Sequence, residues 1–243
     1  MIALFSPKVP ATTTLMANGR AVTVTVRISA RAKSYRLSLP NKGGPVLTLP
    51  RTGRWREAEA FLNRHAEWLA TRLDAVPQAK IMGPNGSIPL RGVPHRLVAT
   101  AGPRGRVTMG LDADTPTLCV PGGSAHFERR LLDWLKVQAK TDLEAAVNLH
   151  TGRLGVRHAS ITLRSQATRW GSCSSTGSLN FNWRLILAPP FVLDYVAAHE
   201  VAHLVEMNHA PAFWATVART LPDFERGRAW LKTHGRELMS YGA

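Results

Sequence analysis

Tyr195-Val-Ala-Ala-His199-Glu200-Val-Ala-His203-Leu-Val-Glu206-Met-Asn208-His209 is the stretch on which the reading of this chain turns. Val192, Val196, Val201, Leu204 and Val205 surround it with apolar groups, as in a buried helix. On a helix, residues four apart stand one above the other, so His199 and His203 can present their imidazoles to a single point. Glu200 follows about a hundred degrees round the helix. Burying two imidazoles and a carboxylate costs several kcal/mol unless they are paired or bind a metal, so the point reads as a metal site. A core helix whose histidines are satisfied by hydrogen bonds is the plainer alternative.

His-Glu-x-x-His is the zinc-protease pattern: two ligands, and a carboxylate that reaches a water but is badly placed to ligate. A tetrahedral catalytic zinc takes three protein ligands and keeps the fourth position for water, so one ligand is still needed. His209 is the candidate. It follows Asn208, a residue that tolerates the left-handed conformation with which helices commonly end, so the chain is expected to turn there and swing His209 under the metal. A later carboxylate, Glu225 foremost, is the other candidate. Zinc on three imidazoles lowers the pKa of a water to about 7, and Glu200 would take its proton and hand it to the leaving group. Arg169 and Tyr195 are candidates to face the developing oxyanion. Arg169 could instead be an ion pair holding its loop, and Tyr195 could simply pack one turn before His199. Glu206, one turn beyond His203, could orient an imidazole or be an ordinary solvated residue.

At 243 residues and 44% apolar, the chain can bury a sizeable core in one large domain or two small ones. No apolar run approaches the length of a membrane span, and Met1-Ile-Ala-Leu-Phe-Ser-Pro7 has no basic leader, so a cytoplasmic protein is expected. Cys119 and Cys173 lie far apart without a partner motif and are expected to be free thiols. The net charge of +15, from 31 Lys and Arg against 16 Asp and Glu, allows nucleic acid, nucleotides or an acidic protein as partners. The bases are spread along the chain without interleaved aromatics, so a solvated surface accounts for them equally well.

Along the chain, Ala21-Val-Thr-Val-Thr-Val-Arg-Ile28, residues 35–39 and residues 46–49 alternate as strands of a small antiparallel meander, with Asn41-Lys-Gly-Gly-Pro45 as a turn. The cluster Arg27, Arg31, Lys33 and Arg36 falls on it, as a solvated face or an anion-binding one. From about residue 55 to 75, Trp55, Ala58, Phe61, Leu62, His65, Trp68, Leu69 and Leu73 recur at helical spacing, and Pro77 ends the helix. Short strands fill 88–120, and Pro121-Gly-Gly123 marks a domain boundary. Ser124 is an N-cap for a helix to about His150, with Phe127, Leu131, Leu135 and Leu143 inward, broken at Gly152 and Gly155. Residues 161–164 and 179–187 read as strands. Pro190 starts the metal helix, Pro211 a short helix with Phe213 and Trp214, and a last helix runs from about Phe224 to Leu238. No internal repeat is visible.

Arg169-Trp-Gly-Ser-Cys173, Asn182-Trp-Arg-Leu185, Asp194-Tyr-Val196, His199-Glu-x-x-His203 and Asn208-His209-x-x-x-Phe213-Trp214, in this order and spacing, resemble the YgjP-like metallopeptidase family, zinc proteins related to the SprT-like and WLM zincins. The resemblance implies zinc on His199, His203 and His209, with Glu200 as the base. It also implies a zincin-like domain, and together with the pattern along the chain the expected fold is α+β: a β-rich region over 1–122 with one amphipathic helix, then a zincin-like metallopeptidase domain over 123–243, its His-Glu-x-x-His helix packed on a small antiparallel sheet. Ala210 stands where members commonly carry a capping Ser, Glu206 where metzincins have Gly, and Met239 is too near the terminus for a Met-turn. The expected activity is zinc-dependent hydrolysis of a peptide or protein. Hydrolysis of nucleotide phosphoanhydrides on the same site, or a basic nucleic-acid-associated zinc protein without hydrolysis, are the alternatives.

Overall fold

The structure, a computed structural model, describes residues 9–40, 43–74, 80–102, 105–166 and 168–242. The stretch Met1–Pro7, Asn41 and Lys42 of the expected turn, and Pro77 lie outside them. The chain divides into two compact units, Met1–Pro77 and Gln78–Ala243. The boundary expected near residue 122 falls inside the second, because the strands before it share one core with the helix after it.

In the first unit, β1 (Thr12–Ala17), β2 (Arg20–Ser29), β3 (Arg36–Ser38) and β4 (Val46–Pro50) form one sheet in the order β1-β2-β4-β3. β2 and β4 run parallel, whereas β1 and β3 pair antiparallel to their neighbours, so the expected meander is corrected. Leu47 and Leu49 of β4 are fully buried, so the most apolar strand takes a central place and three-residue β3 the edge. β1 was not expected from the sequence, since exposed Thr12, Thr14 and Met16 obscure its alternation; Asn18-Gly19, with φ of 48° and 73°, carries the stronger hairpin signal. The expected single helix is two, α1 (Trp55–Arg64) and α2 (Ala66–Asp74), parted at His65, whose ring lies 4.2 Å from that of Phe61. Ala58, Leu62 and Leu69 close the core over Leu15, Val24, Leu47 and Leu49.

The second unit opens on the same plan. β5 (Ser87–Leu90), β6 (Val93–Thr100), β7 (Thr108–Asp112) and β8 (Thr115–Pro121) lie in the order β5-β6-β8-β7, with the same antiparallel, parallel and antiparallel pairings. The turn Arg91-Gly92, with φ of 51° and 80°, answers Asn18-Gly19. A repeat invisible in the residues is therefore present in the topology. Next comes α3 (Ser124–Leu154), with Phe127, Leu131, Leu135 and Leu143 buried. Gly123, not Ser124, occupies its N-cap, and it continues through Gly152 to stop at Gly155, φ 70°.

β9 (Ser160–Arg164), β10 (Gly171–Cys173) and β11 (Ser178–Asn182) form a sheet in the order β10-β11-β9. β11 is antiparallel to β10 but parallel to β9, so the sheet beside the His-Glu-x-x-His helix is mixed rather than antiparallel. The strand expected over 179–187 ends at Asn182, and Trp183–Leu187 is a 3-10 helix. All five of its residues are buried, so the period-two pattern had no exposed face behind it. The Asn182 side chain accepts the Arg184 N–H at 3.2 Å, drawing the backbone out of the ladder. Three helices follow: α4 (Pro190–Ala202), α5 (Pro211–Thr220) and α6 (Phe224–Leu238). Gly227 lets α6 lie close on α4, since a Cβ there would come within 2.4 Å of the Tyr195 Cβ. No described helix is long and apolar enough to cross a membrane. Cys119 and Cys173 are free.

Arg184 is 3% exposed, and burial holds its pKa below the usual guanidinium value. Its Nε donates to the Tyr241 carbonyl at 2.6 Å and one Nη to that of Gly242 at 2.9 Å, binding the end of the chain to the 3-10 helix. Arg184→Met removes both donors and is expected to lower unfolding stability by about 3 kcal/mol in urea titration. A loss below about 0.5 kcal/mol, the range of an ordinary surface substitution, would contradict this role.

Candidate metal centre

Pro190, which needs no N–H partner in the first helical turn, starts α4. Val192, Val196, Ala197 and Val201 are buried around it, so its position in the core is set before any ligand is considered. The helix ends at Ala202, and His203 occupies its C-cap with helical dihedrals. The reversal is spread over the next turn, where the N–H groups of Val205 and Glu206 bond back to the Ala202 carbonyl at 3.0 and 2.9 Å. Asn208 is not among the described residues with positive φ, so the expected left-handed turn there is corrected. Instead the Asn208 carbonyl accepts the Ala210 N–H at 2.8 Å, and Ala210 leads into α5 without a side-chain cap.

This path brings His209 back against the helix. His199, His203 and His209 offer ring nitrogens that all lie within 4.8 Å of one another, with the Nε2 atoms of His199 and His209 3.1 Å apart. Nitrogens bound at 2.0–2.1 Å to a tetrahedral zinc are separated by roughly 3.3 Å. The His203 Nδ1–H donates to the Glu206 carbonyl at 3.0 Å, which leaves the lone pair on Nε2. Glu206 thus orients an imidazole through its backbone rather than its carboxylate. Phe213, fully buried at the start of α5, has its ring centroid 4.9, 4.5 and 4.7 Å from those of His199, His203 and His209, and so backs all three.

Burial, then the neighbouring His203 and His209, lower the His199 pKa to about 3, and burial lowers that of His203 as well. Both rings are therefore neutral at neutral pH, the form that ligates metal. Burial raises the Glu200 carboxyl to about 8. The His199 Nδ1 and Glu200 Oε2 are buried without hydrogen-bond partners among the described residues. A core histidine satisfied by hydrogen bonds would not leave these atoms stranded. Converging nitrogens of three imidazoles, two of them held neutral by burial, and an unsatisfied carboxyl group beside them fit a zinc ion in donor type and spacing.

β10 runs past this carboxylate so closely that a Cβ on Gly171 would lie 2.4 Å from the Glu200 Oε1. Tyr195 is 8% exposed, its ring edge-on to His199 at 5.9 Å, and burial raises its phenol pKa. Among the described cations, Arg228, which lies over the Trp214 ring at 4.5 Å, has a field that reaches both His199 and Tyr195. Arg228 also pairs with Glu225 at 2.9 Å, while the imidazole cluster is completed by His209. Arg169 is exposed and in no ion pair among the described residues. Sequence reasoning missed Arg228, which has no motif around it, and His150. Fully buried on α3, the His150 ring lies 2.9 Å from the Asp194 carboxylate of α4 and 2.8 Å from the Thr220 hydroxyl of α5, joining the two helices that flank His209. A groove of about 440 Å³ lined by Arg91, Asp142, Phe191 and Asp194 opens beside the first half of α4, away from the imidazoles.

No curated protein matches the sequence. Among solved structures, the metallopeptidase zymogen of Pyrococcus abyssi abylysin is 19% identical, with 38% of this chain and 95% of that one covered and a TM-score of 0.34. A family model described as YgjP-like, metallopeptidase domain matches residues 33–234, which include all three imidazoles and Glu200. By that match, extending over most of its length, the chain belongs to the YgjP-like metallopeptidase family.

Proposed function

We propose that the chain is a zinc-dependent peptidase in which His199, His203 and His209 hold the metal and Glu200 handles the proton. The observation that carries this reading is the convergence of three ring nitrogens within 4.8 Å, next to a carboxylate with an unpartnered buried oxygen. When bound, zinc supplies a Lewis acid that acidifies a water and polarises a carbonyl. Glu200 is kept off the metal by its place on the helix, and its raised pKa matches a group that takes a proton and gives it up near neutral pH. For the developing negative charge, Tyr195 and Arg228 have better support than Arg169, because both lie in electrostatic reach of the cluster. β10 is an edge strand, so backbone groups on its outer side can pair with an extended chain beside Glu200. That favours a peptide over a compact substrate.

Zinc-loaded protein should cleave casein-like peptides and release no phosphate from nucleoside triphosphates when both are assayed side by side; the reverse pattern would overturn the peptide assignment. Glu200→Gln should retain about one zinc per chain by elemental analysis and lose at least 10²-fold in hydrolysis. Wild-type turnover in that variant would rule out Glu200 as the base.

Gly171→Ala should drive the Glu200 carboxylate from its place while the three ligands stay put. Activity is expected to fall about as far as in Glu200→Gln, with zinc content and thermal midpoint near wild type. Retained activity would show that the carboxylate position is not set by β10. Phe213→Ala opens a cavity behind the three rings. It should cost about 3–5 kcal/mol in denaturant titration and weaken zinc on the order of 10–100-fold in chelator competition, as loss of a supporting contact does. Unchanged zinc affinity would sink the role given to Phe213.

A further inference from the structure

Basic residues occur along the whole chain, but the excess does not. The first 77 residues hold 12 Lys and Arg against 4 Asp and Glu, whereas the other 166 hold 19 against 12. All four acids of the first unit lie on α1 and α2, and residues 1–56 contain ten bases and no acid. A merely solvated surface mixes both signs, so a sheet free of acids is a one-sign field.

The topology gathers this charge at one end of the sheet. Arg27, Thr48 and Arg36 stand in one row across β2, β4 and β3. Because β2 and β4 are parallel, the loop after β2, with Arg31 and Lys33, and the turn after β4, with Arg51, leave from that same end. All five cations are exposed, and none has an ion-pair partner among the described residues. The helices cover the opposite face, while this open one presents the exposed hydroxyls of Thr12, Thr14, Thr23 and Thr25. Guanidinium forks and hydroxyls are the usual donors to phosphate oxygens. The strands of this face carry no Phe, Tyr or Trp on which a base could stack, nor the aromatic anchors of a protein interface.

We propose that the open sheet face of the first unit docks the phosphate backbone of a nucleic acid duplex, independently of base sequence. The inference does not rest on the peptidase reading.

The test is fluorescence anisotropy of the full chain with a labelled duplex of about 20 base pairs, as DNA and as RNA, in two unrelated sequences. Five phosphate contacts predict a slope of log affinity against log salt near −4.5, or about a 500-fold loss between roughly 50 and 200 mM salt. The two sequences should bind alike, and a preference between the DNA and RNA arms would name the source. The double variant Arg27→Gln/Arg36→Gln should shrink the slope by about 2. The charge-matched control Arg219→Gln/Lys232→Gln, exposed on the second unit, should leave it unchanged. Circular dichroism shows that each variant is folded. Equal losses in the two double variants would assign the binding to net charge alone and overturn the proposal, as would a slope near zero or tighter binding to phosphatidylserine vesicles than to either duplex.

Discussion

Ring nitrogens of imidazoles gather at one point only at a cost, which a cation lying between them would offset. In this chain three do so, and the rest of the second unit can be read as the means of holding them there. Lone pairs repel and each ring loses hydration, so the cluster is costly until a cation supplies the missing attraction. The surrounding core must outweigh that cost. It does so with α4 buried on several sides, Phe213 beneath all three rings, and a carbonyl that selects the His203 tautomer.

The supports are arranged so that each imidazole of the proposed site has a different anchor. His199 belongs to the body of α4, His203 to its C-cap, and His209 to the chain that returns into α5. A single helix could not hold the third of these. His150 ties α4 to the far end of α5, and Gly227 lets α6 press on α4 near Tyr195. Glu200 lies in the narrow space between the helix and β10, where a glycine is the residue that leaves room. The motif Arg169-Trp-Gly-Ser-Cys173 thus has a steric reason at its centre.

Both units begin with the same four-strand plan, yet they serve different ends. In the second unit the plan supplies a floor on which α3 and the 3-10 helix pack. In the first it leaves one sheet face open and free of acids. Shared topology without shared residues is expected when strand order is set by hairpin turns and by the burial of the most apolar strand, since many sequences meet those two conditions.

Much of the imidazole cluster was legible in the residues. His199, Glu200 and His203 follow from helical spacing, and the long apolar stripe of α3 from its period. These are local patterns, determined by the covalent spacing of side chains along a regular element. What stayed hidden depends on contacts distant in sequence. The 3-10 helix at 183–187 looks like a strand because burial on every side erases the contrast that periodicity reads. The reversal after His203, expected at Asn208, is made by backbone hydrogen bonds that carry no side-chain signature. Parallel pairing of β2 with β4, the place of Phe213 behind three imidazoles, and the closeness of Gly171 to Glu200 arise only when separate segments compete for the same buried volume. The sequence by itself determined which groups could meet a metal; the tertiary structure decided where they stand, because close packing, not residue spacing, sets distances between elements.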